Sequence, residues 1–430
     1  MTPTDGPATP APFPSSVAGA LAARGASVLR IHEGDCWAFF AFDAGYAIDL
    51  DAAQKLLASA PSRAGEAARR EEFPRTRRSP SYLQFRPAPL RIDQPAPEAA
   101  SIDLGGYRPS GNVECTFYGF GAVSVAYRVP LVGGASPGRG GESGLPLAAL
   151  LPLAQCLFDC AALRDDATRR VTELMRRLAP AIGRADLSPL VEDYTVYHAR
   201  RWSAGESSGH TPAGDAITAD RHAVAALLLA EPGAEGLSAQ SVESALSARL
   251  SYFSADAAVI DWNASLILGH DEEDALAMLE FANVELLEMR FLDGRLDAVL
   301  DRSYSSLLRR DARGRLPRSP LGLIFDPHRA ERRRLAALQM ESAVLFEGVN
   351  NALKLVGDQH LARLYAAAAK RFHLADWDRS IMRKLHTVEG LYQKLADEQA
   401  TRRMEVLEWI IIVLIALSIV LPFFPGLGGK

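Results

Sequence analysis

From Trp409 to Pro425 the chain reads WIIIVLIALSIVLPFFP, 17 residues without a charge. At about 1.5 Å of rise per residue this run measures roughly 25 Å as a helix, near the lower limit for crossing a bilayer. Arg402 and Arg403 precede it, and Trp409, Phe423 and Phe424 stand where interfacial aromatics belong. A core helix is seldom so uniformly apolar, and a secretory signal would lie at the other end. The run predicts one C-terminal transmembrane anchor over 406–425, carried by Trp409, Ile410, Leu414, Leu417, Leu421 and Phe423. The expected address is a membrane, single-pass, with the bulk cytoplasmic and a bacterial cytoplasmic membrane the simplest case. A buried or oligomer-core helix is the alternative.

Net charge is −5 over 430 residues, which excludes a global attraction to nucleic acid or anionic lipid. Cationic charge is nonetheless segregated. Residues 63–91 hold eight Arg against three Glu, and residues 309–334 hold nine Arg against three acids. Within the first stretch, Arg69, Arg70, Arg75, Arg77 and Arg78 are interleaved with Tyr82 and Phe85. Such a mixture suits single-stranded RNA, guanidinium on phosphate and ring on base, or lipid headgroups. A solvated loop is the plain alternative. Cys36, Cys115, Cys156 and Cys160 make no paired C-x-x-C, so neither a zinc site nor a disulfide framework is expected.

Along the chain, 1–16 is Pro-rich without a basic residue and reads as disordered. Three segments, 36–50, 114–129 and 249–263, each give an aromatic run, a small-residue turn and a second β-rich run. Helical patterns follow each at 52–60, 146–178 and 274–308, and Tyr194–Trp202 reads as a further strand. The expected organisation is an N-terminal hairpin region over 17–130, a Gly-rich linker over 131–145 and an α+β domain over 146–308. A basic linker over 309–327 leads to a helical stalk over 328–405. Ile381, Leu385, Val388, Tyr392 and Leu395 follow 4-3 spacing into the apolar run, a coiled-coil-like seam. Its partner is either the helical stretch 328–357 or a second subunit. The expected fold class is therefore α+β, with repeated β-hairpin–helix units, a coiled-coil-like stalk and one transmembrane helix.

Candidate chemistry concentrates at 261–293. Asp261 and Asn263 share one face of an expected strand, with Trp262 on the other. On the following helix Glu280, Asn283 and Arg290 project from within an apolar arc, and buried polar groups must find partners. Asp261 or Asn263 is offered as the partner of Arg290, with Asp293 one turn along. A network that fixes how helix and hairpin dock, a subunit interface, and a ligand or catalytic site are the three readings. No G-x-S-x-G, H-E-x-x-H or phosphate-binding loop is present, so no catalytic, metal or cofactor residue and no small-molecule substrate is assigned.

The segments SYFSADAAVIDWNASLIL, LEFANVELLEMRFLD and RRMEVLEWIIIVLI resemble, in that order, the required-for-meiotic-nuclear-division family. The resemblance spans about residues 220–425 and, more loosely, 36–130. It falls on Asp261, Trp262, Asn263, Glu280, Asn283, Glu288, Arg290 and Asp293 as motif positions. It implies a membrane-anchored, homo-oligomeric protein without established catalysis, whose mitochondrial relatives support translation by tethering ribosomes. The expectation is a non-enzymatic tether or scaffold, with ribosome or RNA as partner. An enzyme or ligand sensor using Asp261, Asn263, Glu280 and Arg290 is the alternative, and a lipid-binding organiser of the membrane a third.

Overall fold

The structure, a computed structural model, describes residues 29–59, 67–70, 88–97, 102–131, 144–205, 211–231, 236–269, 273–312, 339–340 and 359–420. The chain divides into two compact units, Met1–Glu288 with Gly348–Leu374, and Met289–Glu347 with Ala375–Lys430.

The first unit is organised by one long strand, Leu29–Asp43 (β1). From Asp35 onward its residues are nearly all buried on both faces, which is why a run of aromatic and small β-formers rather than a polar alternation serves there. β1 pairs antiparallel with Ala122–Pro130 (β6) on one side and Val191–Ala204 (β9) on the other. The β1–β9 register shifts at Glu33 and Gly34. A Cβ on Gly34 would lie 2.4 Å from the His198 carbonyl oxygen, so only glycine admits this approach.

Outward from β6 come Asn112–Phe117 (β5), Leu90–Pro95 (β4) and the edge strand Ala67–Arg70 (β3). Outward from β9 come Ala264–Leu268 (β12), Ala257–Ile260 (β11) and Arg249–Leu250 (β10). The pairing is antiparallel throughout except between β12 and β9. Leu145–Pro146 (β7) pairs with the start of β1, and Ala47–Ile48 (β2) pairs separately with Ile182–Gly183 (β8).

One face of the sheet carries Phe40, Phe42, Val125, Tyr197 and Leu266 into a continuous apolar core. Helices Leu50–Ser59 (α1), Leu151–Leu157 (α2), Ala161–Leu178 (α3), Ala213–Ala219 (α4) and Arg221–Leu228 (α5) contribute to that core. Ala239–Ala245 (α6) packs beside α5. On the opposite face lies the first part of Glu273–Ala312 (α7), with Phe281 against Tyr118 and Phe120, and Gln359–Arg371 (α8) packs beside β10 and β11.

The second unit pairs the rest of α7 with Leu374–Val420 (α9). Lys384 Nζ reaches Asp293 at 2.8 Å and Asp297 at 2.6 Å, and the Ser303 and Tyr392 hydroxyls are 3.1 Å apart. These contacts advance together along both helices, so the two run parallel. Leu292, Leu296, Ile381 and Val388 are buried along them.

Several expectations change. The hairpin expected at 114–129 corresponds to β5–β6, but 36–50 is no hairpin: β1 continues to Asp43 and its partners are β6 and β9. The hairpin–helix units are therefore not repeats; distant segments merge into one mixed, mostly antiparallel sheet. The seam Ile381, Leu385, Val388 and Tyr392 is buried within a two-helix pairing with α7 of the same chain, which removes the separate stalk. Most of 328–357, offered as its partner, lies outside the described residues, as do 1–16 and most of the linkers at 131–145 and 309–327. The transmembrane helix is also corrected. Among the described residues no single helix is long and apolar enough to cross a membrane. What α9 carries is the shorter apolar segment Leu407–Ile419, and Glu405 and Glu408 limit its N-terminal side.

The β5–β6 turn supplies a test of this architecture. Gly121 has φ +111°, and a Cβ there would come within 2.0 Å of the Gly45 carbonyl oxygen; Gly106 has φ +88° with open space around it. Gly121→Ala is expected to destabilise the first unit by more than about 2 kcal/mol and Gly106→Ala by about 1 kcal/mol. Urea-unfolding midpoints of the two variants check this; equal shifts would place the turn elsewhere.

Candidate functional site

Of the motif positions, Asp261 and Asn283 enter buried polar contacts between the second face of the sheet, α7 and α8. The strand expected through Asp261–Asn263 stops at Ile260, and residues 261–263 form the turn between β11 and β12. The Asp261 N–H donates to the Ala264 carbonyl at 2.9 Å, and Thr195 N–H donates to the Asn263 carbonyl at 3.1 Å. This separates the pair expected on one face: Asp261 is buried and Asn263 exposed, with Trp262, expected on the core face, exposed beside it. Asn263 thus acts through its backbone.

A buried carboxylate must be neutralised, and the cation on Asp261 is Arg371 at the end of α8 rather than the Arg290 offered by the sequence. Arg371 Nε donates to Asp261 Oδ1 at 2.7 Å, and its Nη2 reaches the same oxygen. The Asp261 carbonyl accepts from the Tyr194 hydroxyl at 3.0 Å. Phe372 follows Arg371 and meets the Tyr194 ring edge-on at 5.1 Å and Trp262 at 6.4 Å. One short stretch, Arg371–Phe372, therefore locks the β11–β12 turn to β9.

Every residue of α7 from Met278 to Glu288 is buried, including Glu280, Asn283, Glu285 and Glu288. Sequence reasoning expected an apolar arc; instead this stretch is enclosed all round, so its polar side chains need interior partners. Asn283 Nδ2 donates to the Glu192 carbonyl at 3.2 Å, tying α7 to β9. The Tyr365 hydroxyl of α8 donates to Glu285. Burial, with the Glu285 charge adding to it, pushes the Tyr365 phenol well above its usual range, and burial does the same at Tyr194. Both phenols thus stay protonated hydrogen-bond donors.

Arg290 is half-buried and begins the second unit, where Asp293 meets Ser380 and Lys384. The proposed group Asp261, Asn263, Glu280 and Arg290 is therefore divided between the two units. Arg69 and Arg70 lie on edge strand β3, and Arg75, Arg77, Arg78, Tyr82 and Phe85 lie outside the described residues. Trp409, Ile410, Leu414 and Leu417 are exposed on α9, and Leu421 and Phe423 lie outside the described residues. Among the described residues no group of three His, Cys, Asp or Glu could hold a metal ion.

Two further networks were missed in the sequence. Asp166 of α3 accepts from Tyr127 at 2.7 Å and from Arg170 Nε at 2.6 Å beneath β6. Asp35 of β1 is held between Arg128 at 2.9 Å and Arg200. An acid inside an aromatic strand was the available signal for Asp35, but its partners are 93 and 165 residues away.

The arrangement is a docking lock, and its test is a double-mutant cycle. Arg371→Met leaves Asp261 buried without its cation and is expected to cost the first unit about 3–5 kcal/mol. Asp261→Asn in the same chain should recover a large part of that loss. A coupling under about 0.5 kcal/mol, measured by urea unfolding, would contradict the lock.

Uncharacterized protein MJ0711 of Methanocaldococcus jannaschii is 23% identical over 178 residues, covering 41% of this chain and 52% of that protein. The chain thus spans about half the length of this curated relative. No solved structure matches. The family described as "Uncharacterized protein MJ0711, N-terminal domain" matches residues 33–275, from β1 to the start of α7 and more than half of the chain. The chain belongs to that family.

Proposed function

We propose that the protein is a non-enzymatic scaffold, attached to a membrane surface by the apolar end of α9, that holds its sheet body there for a partner. The observation that carries the reading is the segment Leu407–Ile419. From Trp409 at 67% exposure through Ile410 at 47% to Ile419 at 60%, its large side chains face outward on every side of the helix. Contiguous apolar exposure of this kind marks a surface that another apolar phase covers. At about 1.5 Å per residue the segment measures roughly 20 Å, enough to seat its side chains in the hydrocarbon of a bilayer. The resemblance to the required-for-meiotic-nuclear-division family agrees with attachment.

The Arg-rich segment supports RNA, free or ribosomal, as the partner. Its Arg69 and Arg70 lie on β3, the edge strand of the sheet. The enzymatic alternative gains nothing from the geometry: Asp261 is neutralised by Arg371, and Asn263 contributes a backbone carbonyl.

Two experiments separate the parts of this reading. The full chain is expected to float with vesicles in a density gradient, and Leu414→Glu with Ile415→Glu to cut the bound fraction more than tenfold, because a carboxylate in hydrocarbon costs about 2.5–3.5 kcal/mol. A wild-type chain that stays at the bottom as a uniform oligomer would assign the segment to contacts between copies. Charge reversal at Arg75, Arg77 and Arg78 is expected to weaken RNA binding and flatten its salt dependence. Unchanged binding at moderate salt would remove RNA from this segment.

A further inference from the structure

The two faces of the sheet differ in how their polar atoms are satisfied. Trp37 Nε1, Arg128 Nε, Thr116 Oγ1 and Ser124 Oγ are shielded from solvent and have no hydrogen-bond partner among the described residues. All four side chains project from the second face, opposite the apolar core, because Trp37 faces Arg128 and Thr116 faces Ser124 across the β1–β6 and β5–β6 ladders. A folded interior seldom leaves such groups unspent, and four on one face are a pattern rather than an accident.

We propose that Trp37, Arg128 and Arg200 form a recognition site for the oxyanion, phosphate or carboxylate, of a small metabolite. Indole and guanidinium nitrogens only donate, so what they lack is an acceptor. Trp37 and Arg128 are directly opposed, which places their Cβ atoms about 5 Å apart on one face. Asp35, buried between Arg128 and Arg200, is a positioning residue: it orients both guanidinium groups and offsets one of their two charges. Glu33 meets Arg200 at 3.2 Å from an exposed position. The Arg128 side chain is 43% exposed, so the site opens through it, while its Nε and the Trp37 nitrogen lie inside. Buried donors of this kind are reached by a small anion and not by a polymer backbone.

The indole N–H of Trp37 reports on the site directly. The chain has five tryptophans, and Trp37→Phe identifies the Trp37 resonance in a nitrogen–proton correlation spectrum of the full chain in mild detergent. Sodium phosphate and sodium acetate are titrated separately at constant ionic strength. The expected result is a saturable downfield shift of that resonance with one of the two anions, the other four indoles unmoved, and at least tenfold weaker binding in Arg128→Gln. Asp35 keeps Arg200 in that variant, and unmoved signals of the other four indoles in the anion-free spectrum verify its fold. No shift with either anion, or a linear shift shared by wild type and Arg128→Gln, overturns the site and assigns those donors to water or an adventitious ion only.

Discussion

Everything in the first unit depends on β1 being paired along both edges. A 15-residue strand with Phe39, Phe40 and Phe42 in sequence cannot lie at a sheet margin without exposing large apolar area on an open edge. Between β6 and β9 it becomes the centre of the sheet, and each face then needs a separate cover. The first face receives α1 to α5 and closes as an ordinary apolar core. The second face receives the buried stretch of α7, and α8 closes over β10 and β11.

That second layer is polar where the first is apolar. Glu285, Asn283, Asp261 and Asp35 all lie on it or in the helices that cover it, each tied to a named partner. Polar groups in an interior contribute little net stability but penalise every alternative packing, because a slip leaves them unmatched. The layer is thus specified by pairing rather than by area. Its lock, Arg371–Phe372, arrives from a helix end 110 residues downstream of Asp261 and further still from Tyr194 of β9. The family match ends at residue 275, before most of α7 and before α8, so what the chain shares with that family is the sheet and its apolar cover.

What was legible in the sequence was local. The β5–β6 hairpin rests on contacts a few residues apart, and periodicity marks the helix following residue 273 and the seam Ile381–Val388, whose partner α7 lies nearly 90 residues away. What was not legible was pairing at a distance. The turn-like residues after Asp43 implied a hairpin, yet β1 takes its partner β9 from some 150 residues away. Asp261 was offered only as a partner for Arg290, because alternation placed it on a strand next to that helix; the tertiary fold pairs it with Arg371, 110 residues on. The apolar run at the C-terminus was plain in the sequence. Its description as a crossing helix was not supported by a structure in which the apolar segment is Leu407–Ile419.

The functional proposal turns on what that exposed segment meets. A nitroxide at position 414 of the full chain, in the presence of vesicles, measures it directly through collision rates with oxygen, which concentrates in lipid, and with a water-soluble nickel complex. The account predicts that oxygen dominates at 414 and nickel dominates at the exposed position 158, in the turn between α2 and α3. Nickel accessibility at 414 equal to that at 158 would contradict it.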